Sequence, residues 1–372
     1  MGCDARWTAH SGHVQRGFPT DAKLEESSTD ADIAQKGLFS CSPMQYSASR
    51  TASKAVASQV LSDDAPATPA TEKPRAHKHS RTHKAEYALA RTLERAVSAM
   101  PERAADVFGR NIGRAVYRMG IRRDVVEDNL RLAFPERSDE WRAAITRKAY
   151  EHLGREATAM MRLSKLDSAA VIERTVTAGF DQMETALGEG RGVLLVTGHY
   201  GNWEVAAAAI AARGIPIAAI VRRQGNLLVD ERLQELRRKL GVETIYQSQA
   251  PSRVPRVLRA NGVVGIVGDQ DARRAGIFVP FFGRLASTHR GPALFALRLN
   301  TPVLSCIARR LPGRDVRYEI AGERVEFSRT GDLDTDVTAL TAELARRLER
   351  QVRVAPEQYF WFHKRWKSSP PP

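Results

Sequence analysis

Long apolar runs are missing from this 372-residue chain, and their absence sets the first bound. The longest Lys- and Arg-free stretch near the middle, Val193 to Ala212, contains His199 and Glu204 and is broken by Gly198 and Gly201. It does not read as a membrane span. The first thirty residues lack a basic start followed by an apolar run, so a secretory leader is not expected. Cysteine is scarce: Cys3, Cys41 and Cys306 are odd in number and far apart, which excludes a disulfide framework and suggests a reducing compartment. Several catalytic signatures are also missing. No serine sits in G-x-S-x-G. No pair of histidines four apart brackets a glutamate, as a zinc protease requires. Gly262, Gly265 and Gly268 fall within a strand pattern rather than in a G-x-G-x-x-G loop opening a helix.

Acidic residues are in deficit. The 57 Lys and Arg outnumber 43 Asp and Glu, for a net charge of +14. Such a balance favours an anionic partner, whether nucleic acid, anionic lipid or an acidic protein, and charge alone does not choose. Almost all of the excess lies beyond residue 84.

Residues 1–85 are rich in Ser, Thr, Ala and Asp and weak in apolar periodicity, so they read as a disordered extension. Their His77, His79 and His83 could hold a metal, but a solvated basic tract is the plainer reading. Residues 86–368 read as one domain, with a helical N-terminal part (86–165) and an α/β core (190–368). Leu89, Leu93, Val97 and Met100, then Phe108, Ile112, Val116 and Met119, recur at helical spacing. Arg110, Arg114, Arg118, Arg122 and Arg123 line the other faces. The pair reads either as core-packing helices or as a basic platform on anionic lipid. Helices over 124–132 and 138–163 follow, with Ser138 as a cap. Beyond residue 190, strands (192–198, 217–221, 242–246, 263–268, 303–308, 316–320) alternate with helices (202–213, 227–240, 252–261, 292–299, 334–352). That alternation predicts an α/β fold with a mainly parallel sheet.

His199 falls where the first of those strands ends, and active sites in open α/β sheets gather at strand carboxyl ends. Glu204 lies five positions on, in the first turn of the next helix. A carboxylate placed there is expected to accept from one imidazole nitrogen, leaving the other to take a proton from an attacking hydroxyl or amine. The bland alternative is a satisfied core pair or a simple cap.

What surrounds His199 sharpens the reading. Residues 129–136 (Asn-Leu-Arg-Leu-Ala-Phe-Pro-Glu), 198–204 (Gly-His-Tyr-Gly-Asn-Trp-Glu), 221–223, 268–271 (Gly-Asp-Gln-Asp) with 279–283, and 356–367 form ordered blocks. Together they resemble the bacterial lipid A biosynthesis (late) acyltransferases, within the wider H-x4-D/E lysophospholipid acyltransferase group, over roughly residues 105–367. The resemblance implies transfer of a fatty acyl chain from acyl carrier protein, or acyl-CoA, to a hydroxyl of a phosphorylated glycolipid such as a lipid A precursor. His199 would be the general base, paired with Glu204. Asn202, Arg223, Asp269 and Asp271 would shape the substrate site. At the level of the residues alone, Asn202 also reads as a helix cap and Arg223 as a surface charge. Asp269 and Asp271 also read as strand-end caps or ion-pair partners of Arg273 or Arg274. The resemblance implies no metal or organic cofactor and no nucleic-acid partner. It places the protein at the cytoplasmic face of the bacterial inner membrane. Members often begin with a membrane-spanning helix, whereas Ala104–Arg123 carries too many arginines to span, so peripheral attachment is expected. Acylation of another glycolipid or aminolipid, as for phosphatidylinositol mannosides, and a non-catalytic basic membrane-surface protein stand as alternatives.

Overall fold

A computed structural model describes residues 80–370. The extension expected over residues 1–85, with His77 and His79, lies outside the described residues up to residue 79. Helix begins earlier than the periodicity suggests, at Arg81, where the Ser80 hydroxyl accepts from the His83 N–H.

Four helices come first: α1 (Arg81–Ala99), α2 (Glu102–Arg118), α3 (Arg123–Ala133) and α4 (Asp139–Arg162). Ser138 caps α4 as expected, its hydroxyl accepting from Trp141 N at 3.3 Å. The crossing of α2 on α4 is made by glycines. A Cβ on Gly113 would lie 2.0 Å from the Tyr150 carbonyl oxygen, and one on Gly154 would lie 2.1 Å from that of Gly109. The backbones thus touch where larger side chains would hold them apart. This corrects the expected apolar stripe. Ala105, Gly109 and Gly113 form the buried face of α2, while Phe108, Ile112 and Val116 are half-covered and Met119 is 65% exposed.

The core then follows as α5 (Ser168–Glu173), β1 (Thr175–Ala178), α6 (Phe180–Gly188), β2 (Val193–Thr197), α7 (Trp203–Ala212) and β3 (Ile217–Val221). Next come α8 (Leu227–Lys239), β4 (Val242–Tyr246), α9 (Ala250–Arg259) and β5 (Val263–Val267). A hairpin of β6 (Ile277–Phe281) and β7 (Arg284–Thr288) leads to α10 (Gly291–Leu299), β8 (Val303–Arg310), β9 (Tyr318–Arg324) and α11 (Leu333–Val354). The main sheet has seven strands in the order β1-β9-β8-β2-β5-β3-β4. Every pairing in it is parallel except β8 with β9. The α/β fold with a mainly parallel sheet is therefore as expected.

Helices cover both faces. One face packs Leu195, Ile217 and Val263 against Ala206, Ala209 and Leu236 of α7 and α8. The other packs Leu194, Val264 and Ile266 against Val254, Ala293 and Leu340 of α9, α10 and α11. A strand covered twice has no polar face to show, and so Val193 to Val196 read as a continuous apolar run. A third, aromatic cluster gathers Phe134, Phe281, Phe282, Tyr359 and Trp361. Trp361 is fully buried, its indole N–H donating to the Pro356 carbonyl at 2.7 Å. Asn129 donates to the carbonyls of Trp361 and His363, both at 2.7 Å, so the sequence block at 129–136 anchors the C-terminal block.

Candidate active site

The chain leaves β2, runs to β3 past β5, and returns from the hairpin to β8 on the opposite side of β2. The carboxyl ends of β2 and β5 therefore form a switch point, where open α/β sheets hold their ligands. Thr197 of β2 is in register with Val267 of β5. Two residues beyond each lie His199 and Asp269, side by side.

They are bonded twice. Asp269 Oδ1 is 2.6 Å from His199 Nδ1, and Oδ2 accepts from the His199 backbone N–H at 2.9 Å. The imidazole keeps 21% of its surface exposed while the carboxylate is buried. Burial alone would lower the His199 pKa, but the charge and hydrogen bond of Asp269 outweigh it and hold the value above the usual 6.5. Burial would likewise raise Asp269, and the His199 charge, its two N–H donors and Arg365 instead hold it at about 2. The far ring nitrogen, Nε2, faces the Gln270 amide nitrogen at 3.4 Å.

The loop carrying His199 is fixed from behind. Gly201, at φ 59°, is pressed so closely on β8 that a Cβ would lie 1.8 Å from the Ala308 carbonyl oxygen. Gly201 N donates to Gln358 O, Asn202 N to Ala308 O, and Phe360 N to His199 O, each at 2.9 Å. The Trp203 ring meets the imidazole edge-on at 4.8 Å. Asn202 is buried and caps α7, its Oδ1 accepting from Val205 N at 3.1 Å, while its Nδ2 donates to Glu156 at 2.8 Å. Glu156 in turn accepts from Arg310 at 2.9 Å and from the Tyr318 hydroxyl at 2.7 Å. Asn202 thus holds the loop from below and does not line the groove described next.

The partner expected for His199 needs correction. Glu204 does not bond the imidazole. Its carboxylate takes a two-pronged bond from Arg237 of α8, at 3.0 and 2.5 Å, with both side chains 11% exposed. The reason is directional: Glu204 sits in the first turn of α7, which lies over the sheet against α8, whereas Asp269 emerges from the strand adjoining β2. Arg223 lies outside the groove, its guanidinium stacked 4.7 Å above the Tyr246 ring, and the neighbouring Arg222 takes the lining position. Asp271 ties the loop to the tail, accepting from Arg273 N at 2.8 Å and from the Ser368 N–H and hydroxyl at 3.0 and 2.9 Å. Arg365 is buried and donates to Ser287 O and Thr288 Oγ1 at 2.7 and 2.6 Å. Residue chemistry alone did not pick out Gln270, Arg222 or Arg237. Gln270 could have been found from its place beside Asp269 in the Gly-Asp-Gln-Asp block.

His199 opens on a groove of about 1140 Å³. Its lining includes Leu195, Ala206, Ala219, Val221, Leu233 and Val267 from the sheet and the helices over it, beside the Glu204–Arg237 pair and Asp271. Arg122, Arg222, Arg273, Lys364 and Lys367 also line it, and none of them has an acidic side-chain partner among the described residues. Among the described residues no cluster of three or more His, Cys, Asp or Glu is placed to hold a metal ion. A base whose Nε2 meets only the Gln270 amide, a buried carboxylate behind it, and a groove lined by both apolar and cationic side chains can activate a hydroxyl between an alkyl chain and an anion.

The family model for bacterial lipid A biosynthesis acyltransferases matches residues 74–368. A phosphatidylinositol mannoside acyltransferase of Mycolicibacterium smegmatis is 26% identical over 294 residues, covering 73% of this chain and 88% of that protein. The lipid A biosynthesis lauroyltransferase of Escherichia coli K12 is 27% identical over 267 residues, 71% of this chain and 85% of that protein. The palmitoleoyltransferase of the same strain is 24% identical over 252 residues, 67% and 80% of the two chains. With these relatives the chain is a lipid acyltransferase, and it belongs to the bacterial lipid A biosynthesis acyltransferase family.

Proposed function

We propose that this enzyme moves a fatty acyl chain from a pantetheine thioester, on acyl carrier protein or coenzyme A, to a hydroxyl of a phosphorylated glycolipid. The observation that carries the reading is the His199–Asp269 pair set on a groove whose lining combines apolar side chains with five cations that have no acidic side-chain partner among the described residues. The alkyl chain lies toward the sheet, and phosphates of the acceptor and of the pantetheine arm meet the arginines and lysines of the lining. His199 Nε2 removes the acceptor hydroxyl proton as the oxygen attacks the thioester carbon. Asp269 holds the Nδ1–H tautomer and supports the imidazolium that results. The tetrahedral intermediate then expels the sulfur, the C–S bond breaks, and His199 returns the proton to the leaving thiolate. The products are an ester and a free thiol. Asp269, rather than Glu204, is the carboxylate behind the base in this scheme. Glu204 and Arg237 act together as a fixed ion pair on the groove wall. A phosphatidylinositol mannoside acyltransferase and a lipid A biosynthesis lauroyltransferase match about equally well, so the acceptor is assigned as a class.

The reaction would take place at the cytoplasmic face of the inner membrane, with the protein bound peripherally. Among the described residues no helix is long and apolar enough to cross a membrane. In the turn after α2, Met119 and Ile121 are 65% and 49% exposed, between Arg118, Arg122 and Arg123, and Arg122 also lines the groove. Exposed apolar tips ringed by arginines favour an anionic bilayer. Co-sedimentation with phosphatidylglycerol vesicles should weaken several-fold in Met119→Ser/Ile121→Ser. Unchanged binding would remove this surface from the account.

The reading as a whole is tested by transfer from a set of acyl carrier protein thioesters to a bacterial lipid extract, followed by mass spectrometry. A lipid heavier by one acyl group, formed by wild type only, supports it. Lipid masses unchanged by wild type would reject it.

A further inference from the structure

Gly265 lies mid-strand in β5, the strand next to β2, where glycine weakens a sheet and nothing local asks for it. Its φ is not in the left-handed region, and a Cβ built on it would meet nothing closer than Ile217 Cδ1 at 3.9 Å. Parallel register sets Leu195, Gly265 and Ala219 in one row on the face covered by α7 and α8. The row deeper in the sheet, Val193, Val263 and Ile217, is sealed at 0%, 0% and 4% exposure. At the Gly265 row the floor opens: Gly265 and Ala219 are half-buried, as are Thr197, Val267 and Val221 of the next row toward His199. All five belong to the groove lining, as does Ala206 on the helix above. The gap over the sheet therefore exists because three positions, Gly265, Ala219 and Ala206, carry small side chains or none.

We propose that Gly265 sets the length of the acyl chain the enzyme accepts, the missing side chain leaving room for the alkyl tail to turn above the sealed row and run across Gly265 toward Ala219 of β3. This rests on the acyl-transfer reading and adds to it the residue that selects the donor. From the Gly265 row to His199 the chain runs two residues to the end of β2 at Thr197 and two more through the loop, at most about 13 Å. An extended alkyl chain advances about 1.3 Å per carbon, so the tenth carbon or so lies over Gly265. Wild type then takes chains longer than about ten carbons, and a side chain at residue 265 stops them there. A clashing methylene in an apolar pocket reduces acceptance by roughly tenfold or more.

The experiment is a competition among saturated acyl carrier protein thioesters from about 8 to about 18 carbons, read by product mass, for wild type, Gly265→Ala and Gly265→Ile. Alanine fits the space and keeps the variant series interpretable if isoleucine, despite its preference for strands, impairs folding. The profile should lose its long end in Gly265→Ala and be cut near ten carbons in Gly265→Ile. A folded, active variant with the wild-type profile would overturn the proposal, as would uniform loss at every chain length. Displacement of bound cis-parinaric acid by free fatty acids of the same lengths reads the channel without turnover. Selective loss of the longer acids in Gly265→Ile supports the assignment even if wild type transfers nothing, an outcome that would instead reject the acyl-transfer reading. Equal displacement by all lengths in wild type and variant refutes it.

Discussion

The two carboxylates near His199 make different predictions, and the Glu204–Arg237 pair permits a decisive comparison. Both side chains are 11% exposed, and the guanidinium bonds the carboxylate through two nitrogens. Glu204→Gln removes the charge but leaves Arg237 buried and uncompensated, which costs about 3–5 kcal/mol. In a domain of this size that lowers the melting temperature by roughly 5–8 °C. Replacing both residues, as Glu204→Gln/Arg237→Met, removes the stranded charge and should recover about 1–3 kcal/mol of the loss. Asp269→Asn behaves otherwise. It deprives the base of its partner and should lower kcat by about 10²–10⁴-fold. Thermal unfolding by circular dichroism, paired with transfer rates taken well below each melting temperature, separates the two. The reasoning fails if Glu204→Gln melts like wild type yet loses as much kcat as Asp269→Asn, with no recovery in the double variant.

Other consequences follow from the charges in the site. His199 is held above 6.5 and must be neutral to act as a base, so kcat/KM should fall on its acid side at a pH above that of a free imidazole. Asp269→Asn should move this limb down in pH while lowering the plateau, and a limb that does not move would contradict the pairing. Stability runs the opposite way. The protonated His199 paired with Asp269 stabilises the fold fully below pH 6.5, and that contribution is lost as pH rises through the raised value. Asp269 contributes above pH 3.8, and its share is lost as pH falls toward about 2. In the groove lining, Arg222→Ala, Arg273→Ala and Lys364→Ala should each raise KM for the acceptor several-fold and flatten its salt dependence, with little change in kcat. A kcat loss with KM unchanged would place these cations in the chemistry instead of in binding.

Most of the architecture was legible in the order of the residues. The expected strand over 217–221 is β3 (Ile217–Val221), and the one over 242–246 is β4 (Val242–Tyr246), because their apolar runs are bounded by glycine and loop residues. The short β1 and the β6–β7 hairpin went unforeseen. β1 is four residues long and alternates weakly, and the hairpin turns through Phe282 at φ 52° and Gly283 at φ 69°, without a marked turn signal. His199 was visible as a candidate as well, since a histidine after a strand and before a helix points to a strand-end site. Its partner was not. Glu204 is five residues from His199 and Asp269 is seventy, and a local reading favours the nearer one. What brings Asp269 to the imidazole is the adjacency of β2 and β5, a non-local pairing set by crossovers that skip a strand. The same limit hid Arg237, which reaches Glu204 from another helix. The helical stripe at Phe108, Ile112 and Val116 misled for a different reason: glycines on the neighbouring face make the closest contact, and periodicity scores side chains, not their absence.

The central claim is that His199, supported by Asp269, transfers an acyl group to a lipid hydroxyl. The most direct measurement is acyl transfer to a bacterial lipid extract by wild type, His199→Ala and Asp269→Asn, each confirmed folded, with products read by mass spectrometry. Wild type should form a lipid heavier by one acyl group, His199→Ala none above background, and Asp269→Asn a trace. Transfer at the wild-type rate by folded His199→Ala would contradict it.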